Sequence, residues 1–192
     1  MASGEAIEWH SIKSASDHGL AILVIPCGSF DASYLYLLES GNAGWQVTDW
    51  IGFTCHHDEG LSVETAPVRY PNIDDVLVHR ESEDRGLPYV EQHFNVFTVD
   101  SGSAKFEIVL DTKELVSAWH EQYKLRLTSG FSLLSPQEST ARVIEETQCV
   151  NENGHISIQR RRFTWNESAY LLVPTPFVTV RSPSRKMEAS CR

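Results

Sequence analysis

The feature that most constrains the fold of this chain is a β-hairpin encoded between residues 142 and 165. Two runs with many β-branched and aromatic residues flank Asn153-Gly154. That dipeptide is typical of a two-residue type I′ turn, which needs φ > 0 at both central positions. Because a two-residue turn sets the strand register, the pairs across this hairpin can be predicted residue by residue.

The predicted register aligns opposite charges with each other and apolar side chains with each other, as cross-strand pairing favours. The predicted pairs are Glu152–His155, Cys149–Ile158, Glu146–Arg161, Glu145–Arg162 and Ile144–Phe163. The apolar residues change face along the second strand: Ile158 lies on one side, and Phe163 and Trp165 lie on the other. Either the ribbon passes between two apolar environments, or a bulge near Arg160 resets the register.

Strand patterns also dominate the rest of the chain. Short alternating or apolar runs bounded by turn residues predict strands at 20–27, 34–39, 45–51, 61–65, 74–79, 93–99, 104–110 and 170–173. Successive hairpins with short turns predict a mainly antiparallel meander. We therefore predict an all-β fold that forms a barrel, a sandwich or a curved sheet. We expect a single β-rich domain over residues 1–176 and a polar C-terminal tail over residues 177–192.

One segment breaks the strand pattern. Asp111 and Glu114 have the spacing of a capping box, and three apolar residues then follow four positions apart. These apolar residues are Leu115, Trp119 and Tyr123. The spacing predicts one short helix near residues 112–122, and the alternative is a strand through residues 123–127.

Composition limits the class of partner. An apolar fraction of 41% and an aromatic fraction of 10% support a packed core and argue against disorder. The net charge of −10 opposes binding to a phosphate backbone, so a protein or small-molecule partner is favoured over nucleic acid. No apolar run reaches the ~18–20 residues that cross a bilayer, so no membrane span is predicted.

The cysteines and the N-terminus bear on the compartment. The spacings of Cys27, Cys55, Cys149 and Cys191 are long and irregular, so we expect free, mostly buried thiols rather than disulfides or a zinc ribbon. The first residues show no signal peptide. The expected location is the cytoplasm if Met1 is the natural start, and secreted or periplasmic if a signal peptide has been removed.

A dense cluster of metal-type ligands lies at Cys55, His56, His57 and Asp58. Thiolate, imidazole and carboxylate groups all bind divalent metals, so these four residues are the candidate metal ligands. No second cluster completes a four-ligand set, and neighbours on a strand point to opposite faces. An exposed polar loop is therefore the favoured interpretation, and we predict no cofactor.

Aromatic residues supply most of the candidate ligand-binding positions. Tyr34 and Tyr36 share one face of a predicted strand and could line a ligand surface or stack on a sugar, although packing in the core is favoured. Trp50 has the opposite parity to Trp45 and Val47. We therefore predict that Trp50 is exposed.

The run Arg160-Arg161-Arg162 could bind an anion, because each guanidinium donates in a fixed fork. The predicted register instead pairs Arg161 and Arg162 with glutamates. We expect these pairs to be exposed, so each should contribute well under ~1 kcal/mol. Arg160 faces Thr147, not a carboxylate, and is the fourth candidate ligand-binding residue.

Catalytic signatures are missing from the sequence. It has no G-x-S-x-G, H-E-x-x-H, P-loop or G-x-G-x-x-G pattern. This favours a non-catalytic binding or structural module. One alternative is a small-ligand carrier with an aromatic-lined pocket in a β-barrel. The other is a hydrolase or metal-dependent enzyme that uses the cluster from Cys55 to Glu59.

Overall fold

The computed structural model contains twelve strands in the residues that it describes. The described residues are 7–15, 19–26, 32–54, 61–83, 89–100, 102–120, 123–134, 141–152 and 155–173. Within these ranges, only the backbone is described at residues 81–91, 113–130 and 151–156. The strands are β1 (Glu8–Ile12), β2 (Leu20–Ile25), β3 (Ala32–Gly41), β4 (Gly44–Thr54), β5 (Leu61–Tyr70), β6 (Ile73–Glu83), β7 (Tyr89–Asp100), β8 (Lys105–His120), β9 (Tyr123–Leu134), β10 (Val143–Glu152), β11 (His155–Trp165) and β12 (Tyr170–Val173). The predicted all-β, antiparallel fold is confirmed, and the described ranges contain no helix. They therefore contain no helix long and apolar enough to cross a membrane.

The chain forms two compact units. Unit 1 comprises residues 1–82 and 93–112, and unit 2 comprises residues 83–92 and 113–192, so β6, β7 and β8 have residues in both. The single domain that we expected over residues 1–176 stays a prediction. The expected tail lies outside the described residues.

Unit 1 is a β-sandwich. One sheet has the order β1-β2-β3-β4, and strands β5, β6, β7 and β8 neighbour one another in a second open array. Alternate residues of both arrays meet in a single core. Its buried members include Ile22, Leu35, Leu37, Phe53, Val63, Val76, Val78 and Phe97. Neither array closes into a barrel, so of the three predicted architectures the sandwich describes unit 1.

Two aspartates bond to main-chain groups at the margins of this sandwich. An Asp49 carboxylate oxygen in β4 accepts a hydrogen bond of 2.9 Å from the main-chain N–H of Phe106 in β8. The Asp74 carboxylate in β6 accepts a hydrogen bond of 2.9 Å from the main-chain N–H of Lys13, just after β1. The main-chain N–H of Asp74 in turn donates one of 2.8 Å to the Lys13 carbonyl. These bonds satisfy main-chain groups where sheet edges leave polar groups unpaired.

A β-bulge in β4 decides which of its aromatic residues face outward. The register with β3 shifts between Leu37 and Leu38, and Thr48 is the extra residue. Its hydroxyl donates a hydrogen bond of 3.3 Å to the Leu37 carbonyl. Because a bulge inserts one residue, Trp45 and Trp50 face the same side despite their opposite parity. The prediction that they lie on opposite faces is wrong.

Unit 2 contains the hairpin that the sequence predicted. Each predicted pair between β10 and β11 is confirmed, from Ile144–Phe163 to Glu152–His155. The register runs without a shift, so the alternative of a bulge near Arg160 is wrong. Ile158 and Phe163, on opposite faces of the ribbon, are each only 6% exposed, so apolar residues are buried on both sides. The turn residues 153–154 lie outside the described residues.

The predicted helix near residues 112–122 is wrong. This segment continues β8 as far as His120, and β9 begins at Tyr123, as the alternative prediction had it. Residues four apart share a face of a strand as well as of a helix, because four is an even number. The apolar spacing therefore fitted both structures.

Asp111, the predicted N-cap, bonds within the sheet instead. It accepts a hydrogen bond of 2.6 Å from the side-chain amide of Asn95 in β7. The hydroxyl of the neighbouring Thr112 donates one of 3.2 Å to the Phe94 carbonyl, also in β7. Asp111 thus uses in the sheet the side chain that would have capped a helix.

The Glu146–Arg161 pair is largely shielded from water, with the Arg161 side chain 28% exposed, although the sequence predicted an exposed pair. The Glu146 side chain is fully buried, and one of its oxygens accepts from Arg161 Nε at 2.7 Å and Nη2 at 2.5 Å. Its other oxygen accepts from the Gln148 amide at 2.9 Å. By contrast, the Arg162 partner of Glu145 has half of its side chain exposed. Of these two hairpin pairs, only the Glu146–Arg161 pair is therefore strongly shielded from water.

Cys149 is disulfide-bonded, so the expectation of free thiols is wrong for this residue. It lies in β10 and is 7% exposed. The other three cysteines lie outside the described residues. Since disulfides persist in oxidising compartments, this bond bears on where the protein resides.

We predict that Arg161→Met costs about 3 kcal/mol of unfolding free energy, because it leaves the Glu146 carboxylate buried without a cation. The double variant Glu146→Gln/Arg161→Met should recover most of this loss, since glutamine is neutral and keeps an acceptor for Gln148. The matched control is Arg162→Met, which should cost under ~1 kcal/mol because Arg162 is half exposed. Urea unfolding of the variants measures these differences, and equal losses for the two arginines would contradict the assignment.

Candidate functional site

The outward face of the β1–β4 sheet carries an exposed aromatic surface. Strand alternation directs one set of side chains to the core and the other set away from it. The outward positions are Trp9 and Ser11 of β1, Ala21, Leu23 and Ile25 of β2, Ala32, Tyr34, Tyr36, Leu38 and Ser40 of β3, and Trp45, Val47, Trp50, Gly52 and Thr54 of β4. We call this set the aromatic face. None of its members carries a charge.

One row of the aromatic face crosses all four strands. Trp9 lies opposite Leu23, Leu23 opposite Tyr36, and Tyr36 opposite Trp50. The two tryptophans at the ends of this row are 48% and 59% exposed. The prediction that Trp50 is exposed is confirmed.

The first ring cluster contains Tyr34, Tyr36 and Trp50. The two tyrosine rings stack at 6.0 Å with 27° between their planes, and Trp50 lies 6.0 Å from Tyr34. A Cβ placed on Gly52 would stand 3.3 Å from ring atoms of both Trp50 and Tyr34. These two rings therefore extend over Gly52 along the sheet surface. Three of the four residues predicted to bind a ligand are thus neighbours.

The second ring cluster is formed by Trp9 and Trp45, from the two edge strands. Their rings meet edge to face at 5.1 Å, and the residues are 48% and 49% exposed. The indole of Trp45 reaches Gly19, where an added Cβ would stand 3.4 Å from Cη2. Ala21 and Leu38, on the intervening strands, are 0% and 7% exposed. The two indoles thus extend across the middle of the sheet.

The sequence did not identify Trp9 and Trp45 as members of a site. β1 has only five residues, and no strand was predicted there. The alternation of Trp9 and Ser11 with His10 and Ile12 was the available signal, and it is too short to be distinctive. Trp45 was assigned to the wrong face because a single extra residue, Thr48, is not visible as a bulge in the sequence.

The other predicted site residues are not part of the aromatic face. Cys55, His56, His57 and Asp58 lie outside the described residues, where the metal-site prediction is not tested. Among the residues that are described, no group of three His, Cys, Asp or Glu side chains could hold a metal ion. Arg160 lies in unit 2, exposed and opposite Thr147, and its role in binding stays a prediction.

A polar cleft of about 210 Å³ lies elsewhere in unit 1. Its lining includes Arg69 and Thr98, whose side chains hydrogen-bond to each other. Arg69 Nε also donates to the fully buried Asp75 at 2.8 Å. Burial raises the pKa of Asp75, while the hydrogen bonds and the charge of Arg69 oppose that rise. Because these groups satisfy one another, we assign them a structural role.

His79 of unit 1 is also engaged within the fold. Its ring lies 4.5 Å from that of Phe94, and burial lowers its pKa, with the charge of Glu64 opposing the shift. A lowered pKa keeps the imidazole neutral at pH 7. It therefore packs as an aromatic ring against Phe94.

Comparisons with protein-family models, with curated proteins and with solved structures find no match. The geometry of the aromatic face is therefore the basis for inferring function. It presents aromatic rings, indole N–H groups, and phenol and serine hydroxyls, but no carboxylate, imidazole or thiol. Such a surface can bind a ligand through ring contacts and hydrogen bonds.

We predict that Gly52→Val displaces the rings of Tyr34 and Trp50, since its Cβ would stand 3.3 Å from both. The near-ultraviolet circular dichroism should change while the far-ultraviolet spectrum is kept, because valine suits a strand. Gly41→Val is the control, as its nearest contact would be 3.8 Å away. Unchanged aromatic signals in Gly52→Val would show that the rings do not lie over Gly52.

Proposed function

We propose that this protein is a non-catalytic binding module and that its aromatic face holds the ligand. The observation that carries the proposal is the exposure of Trp9, Trp45 and Trp50, between 48% and 59%, on the side of the sheet away from the core. Contiguous apolar patches of ~300–600 Å² on monomers are often functional. Tryptophan and tyrosine are also the residues most enriched at binding hot spots.

The energetics of the exposed rings support binding of modest affinity. A half-exposed tryptophan leaves on the order of 100 Å² in water. Covering that area contributes about 2.5 kcal/mol at ~25 cal/mol per Å². Three tryptophans then supply roughly 7.5 kcal/mol, against an association cost of ~4–15 kcal/mol. The aromatic face therefore needs an extended ligand or many weak contacts.

The mutual contacts of the rings also favour binding. Tyr34 is in contact with both Tyr36 and Trp50, and Trp9 is in contact with Trp45. Side chains that are already held in place lose less conformational entropy when a ligand arrives. The aromatic face is thus organised for binding before the ligand is present.

The described polar groups support a non-catalytic role. Asp49 and Asp74 bond to main-chain N–H groups, and Asp75 and Glu146 pair with arginines. Each of these four carboxylates has a structural partner. An enzyme built on the cluster from Cys55 to Glu59 stays the alternative prediction.

The carrier alternative has less support. It requires a barrel pocket lined by the aromatic residues, and unit 1 is an open sandwich. Ile22, Leu35, Leu37 and Val76 each have 0% exposure and occupy the space between its sheets. Tyr34, Tyr36 and Trp50 lie on the opposite side of their sheet.

To test the proposal, the protein is screened against arrays of glycans, peptides and lipids, and its best ligand is titrated against Trp50→Ala. Loss of the indole area should weaken binding about 10- to 100-fold. The control is Ile108→Ala, which removes an apolar side chain of 54% exposure from β8, off the aromatic face, and should bind like the wild type. Absence of any ligand, or equal binding by Trp50→Ala, would exclude the aromatic face as the binding surface.

We further propose that the protein resides in an oxidising compartment, either secreted or periplasmic. The disulfide at Cys149 supports this location, because reducing cytosols rarely preserve disulfides. Rapid alkylation in denaturant of the protein taken directly from its source should leave Cys149 unmodified, with modification only after reduction. Mass spectrometry reads the result, and full alkylation of Cys149 without reductant would contradict an oxidising compartment.

A further inference from the structure

We propose that the aromatic face binds a neutral carbohydrate chain. The inference rests on the proposed function and specifies its ligand. Four properties of the aromatic face lead to it: the exposure of its rings, its lack of charge, its hydrogen-bonding groups and the length of sheet that its two ring clusters span.

The exposed rings are inclined to one another. Those of Trp9 and Trp45 meet edge to face at 81°, and those of Tyr34 and Trp50 at 54°. Because the two indoles are nearly perpendicular, each keeps at least one π face that the other does not cover. The C–H groups on the face of a pyranose pack against such a π face, whereas a side chain of a protein partner needs a pocket.

The aromatic face has no charged member, and the whole chain carries a net charge of −10. Anionic glycans, nucleic acids and anionic lipid surfaces are recognised through Lys and Arg, which are missing from these positions. A neutral ligand avoids leaving its own charge without a partner. The charge balance therefore selects uncharged sugars among the glycans.

The hydrogen-bonding groups also fit a sugar. The indoles of Trp9, Trp45 and Trp50 each carry an N–H donor, and Tyr34 and Tyr36 each carry a hydroxyl. These groups are at the periphery of apolar rings, as the hydroxyls of a sugar are at the periphery of its C–H face. A peptide that binds by adding a β-strand instead pairs with main-chain groups at a sheet edge.

The two ring clusters together span more of the sheet than a single sugar ring covers. Trp9 lies in the same row as Tyr36, two strands away, but the far ends of the clusters are at Gly52, which is paired with Tyr34, and at Gly19, which is hydrogen-bonded to Ser40. Tyr34 and Ser40 are six residues apart on β3, a distance on the order of 20 Å. A ligand that reaches from one end of this span to the other is therefore a chain of several sugar units.

A second copy of this protein is the less favoured occupant. The three exposed tryptophans leave on the order of 300 Å² uncovered. A stable interface of standard size buries ~800 Å² on each partner. The tryptophans alone thus fall short of a stable dimer interface, whereas a narrow carbohydrate chain can cover them.

The test is calorimetric titration with soluble neutral oligosaccharides, the cello-, xylo- and manno- series from disaccharide to hexasaccharide. Oligogalacturonides serve as anionic comparison. Binding to at least one neutral series should strengthen at least about tenfold with chain length, because the second cluster is engaged at high effective concentration. The oligogalacturonides should bind more weakly than the neutral chains.

A variant of the second ring cluster separates the contributions of the two clusters to carbohydrate binding. Trp45→Ala should abolish the gain with chain length and leave the disaccharide bound at the first cluster. Ile108→Ala should keep the full gain, and far-ultraviolet circular dichroism confirms that both variants fold.

Three results would overturn the carbohydrate assignment. The first is Trp50-dependent binding of a peptide or lipid with no binding of any neutral oligosaccharide, which leaves the binding module intact. The second is a Trp50-dependent dimer in sedimentation analysis, which replaces the sugar by a second copy. The third is no ligand of any class, which removes the proposed function as well.

Discussion

The packing of the β1–β4 sheet against strands β5–β8 is the constraint on which the candidate site depends. Leu35 and Leu37 are fully buried in that core, so strand alternation directs Tyr34 and Tyr36 to the other face. A one-residue slip of β3 would exchange the two sets at a large cost in apolar burial. The position of the tyrosines therefore follows from the core.

The bulge at Thr48 extends this constraint to both ends of β4. Ile51 packs against the core, so its neighbour Trp50 faces outward. The extra residue then brings Trp45 to the same face, where it meets Trp9. A regular strand would direct Trp45 to the opposite side, and the second ring cluster would not form. One inserted residue thus changes the sheet from one aromatic cluster to two.

Buried polar groups in both units serve the fold. In unit 2, Glu146 is held by Arg161 and Gln148, and in unit 1 Asp75 is held by Arg69. A buried carboxylate without such partners would be strongly destabilising. The aromatic face has no comparable network, and its apolar rings remain in water at a cost in free energy. That contrast distinguishes the groups that stabilise the fold from a surface available to a ligand.

Local pattern in the sequence determined most of the strands and the register of the 142–165 hairpin, because alternation and a two-residue turn act over a few neighbouring residues. It also placed Tyr34 and Tyr36 on one face and predicted that Trp50 is exposed, but the core packing that it favoured for the two tyrosines is wrong. Tertiary structure decided the burial of Glu146, the disulfide at Cys149, the strand in place of the helix near residues 112–122, and the meeting of Trp9 with Trp45. These features depend on contacts between residues far apart in the chain, and local pattern is the same whether or not such contacts form.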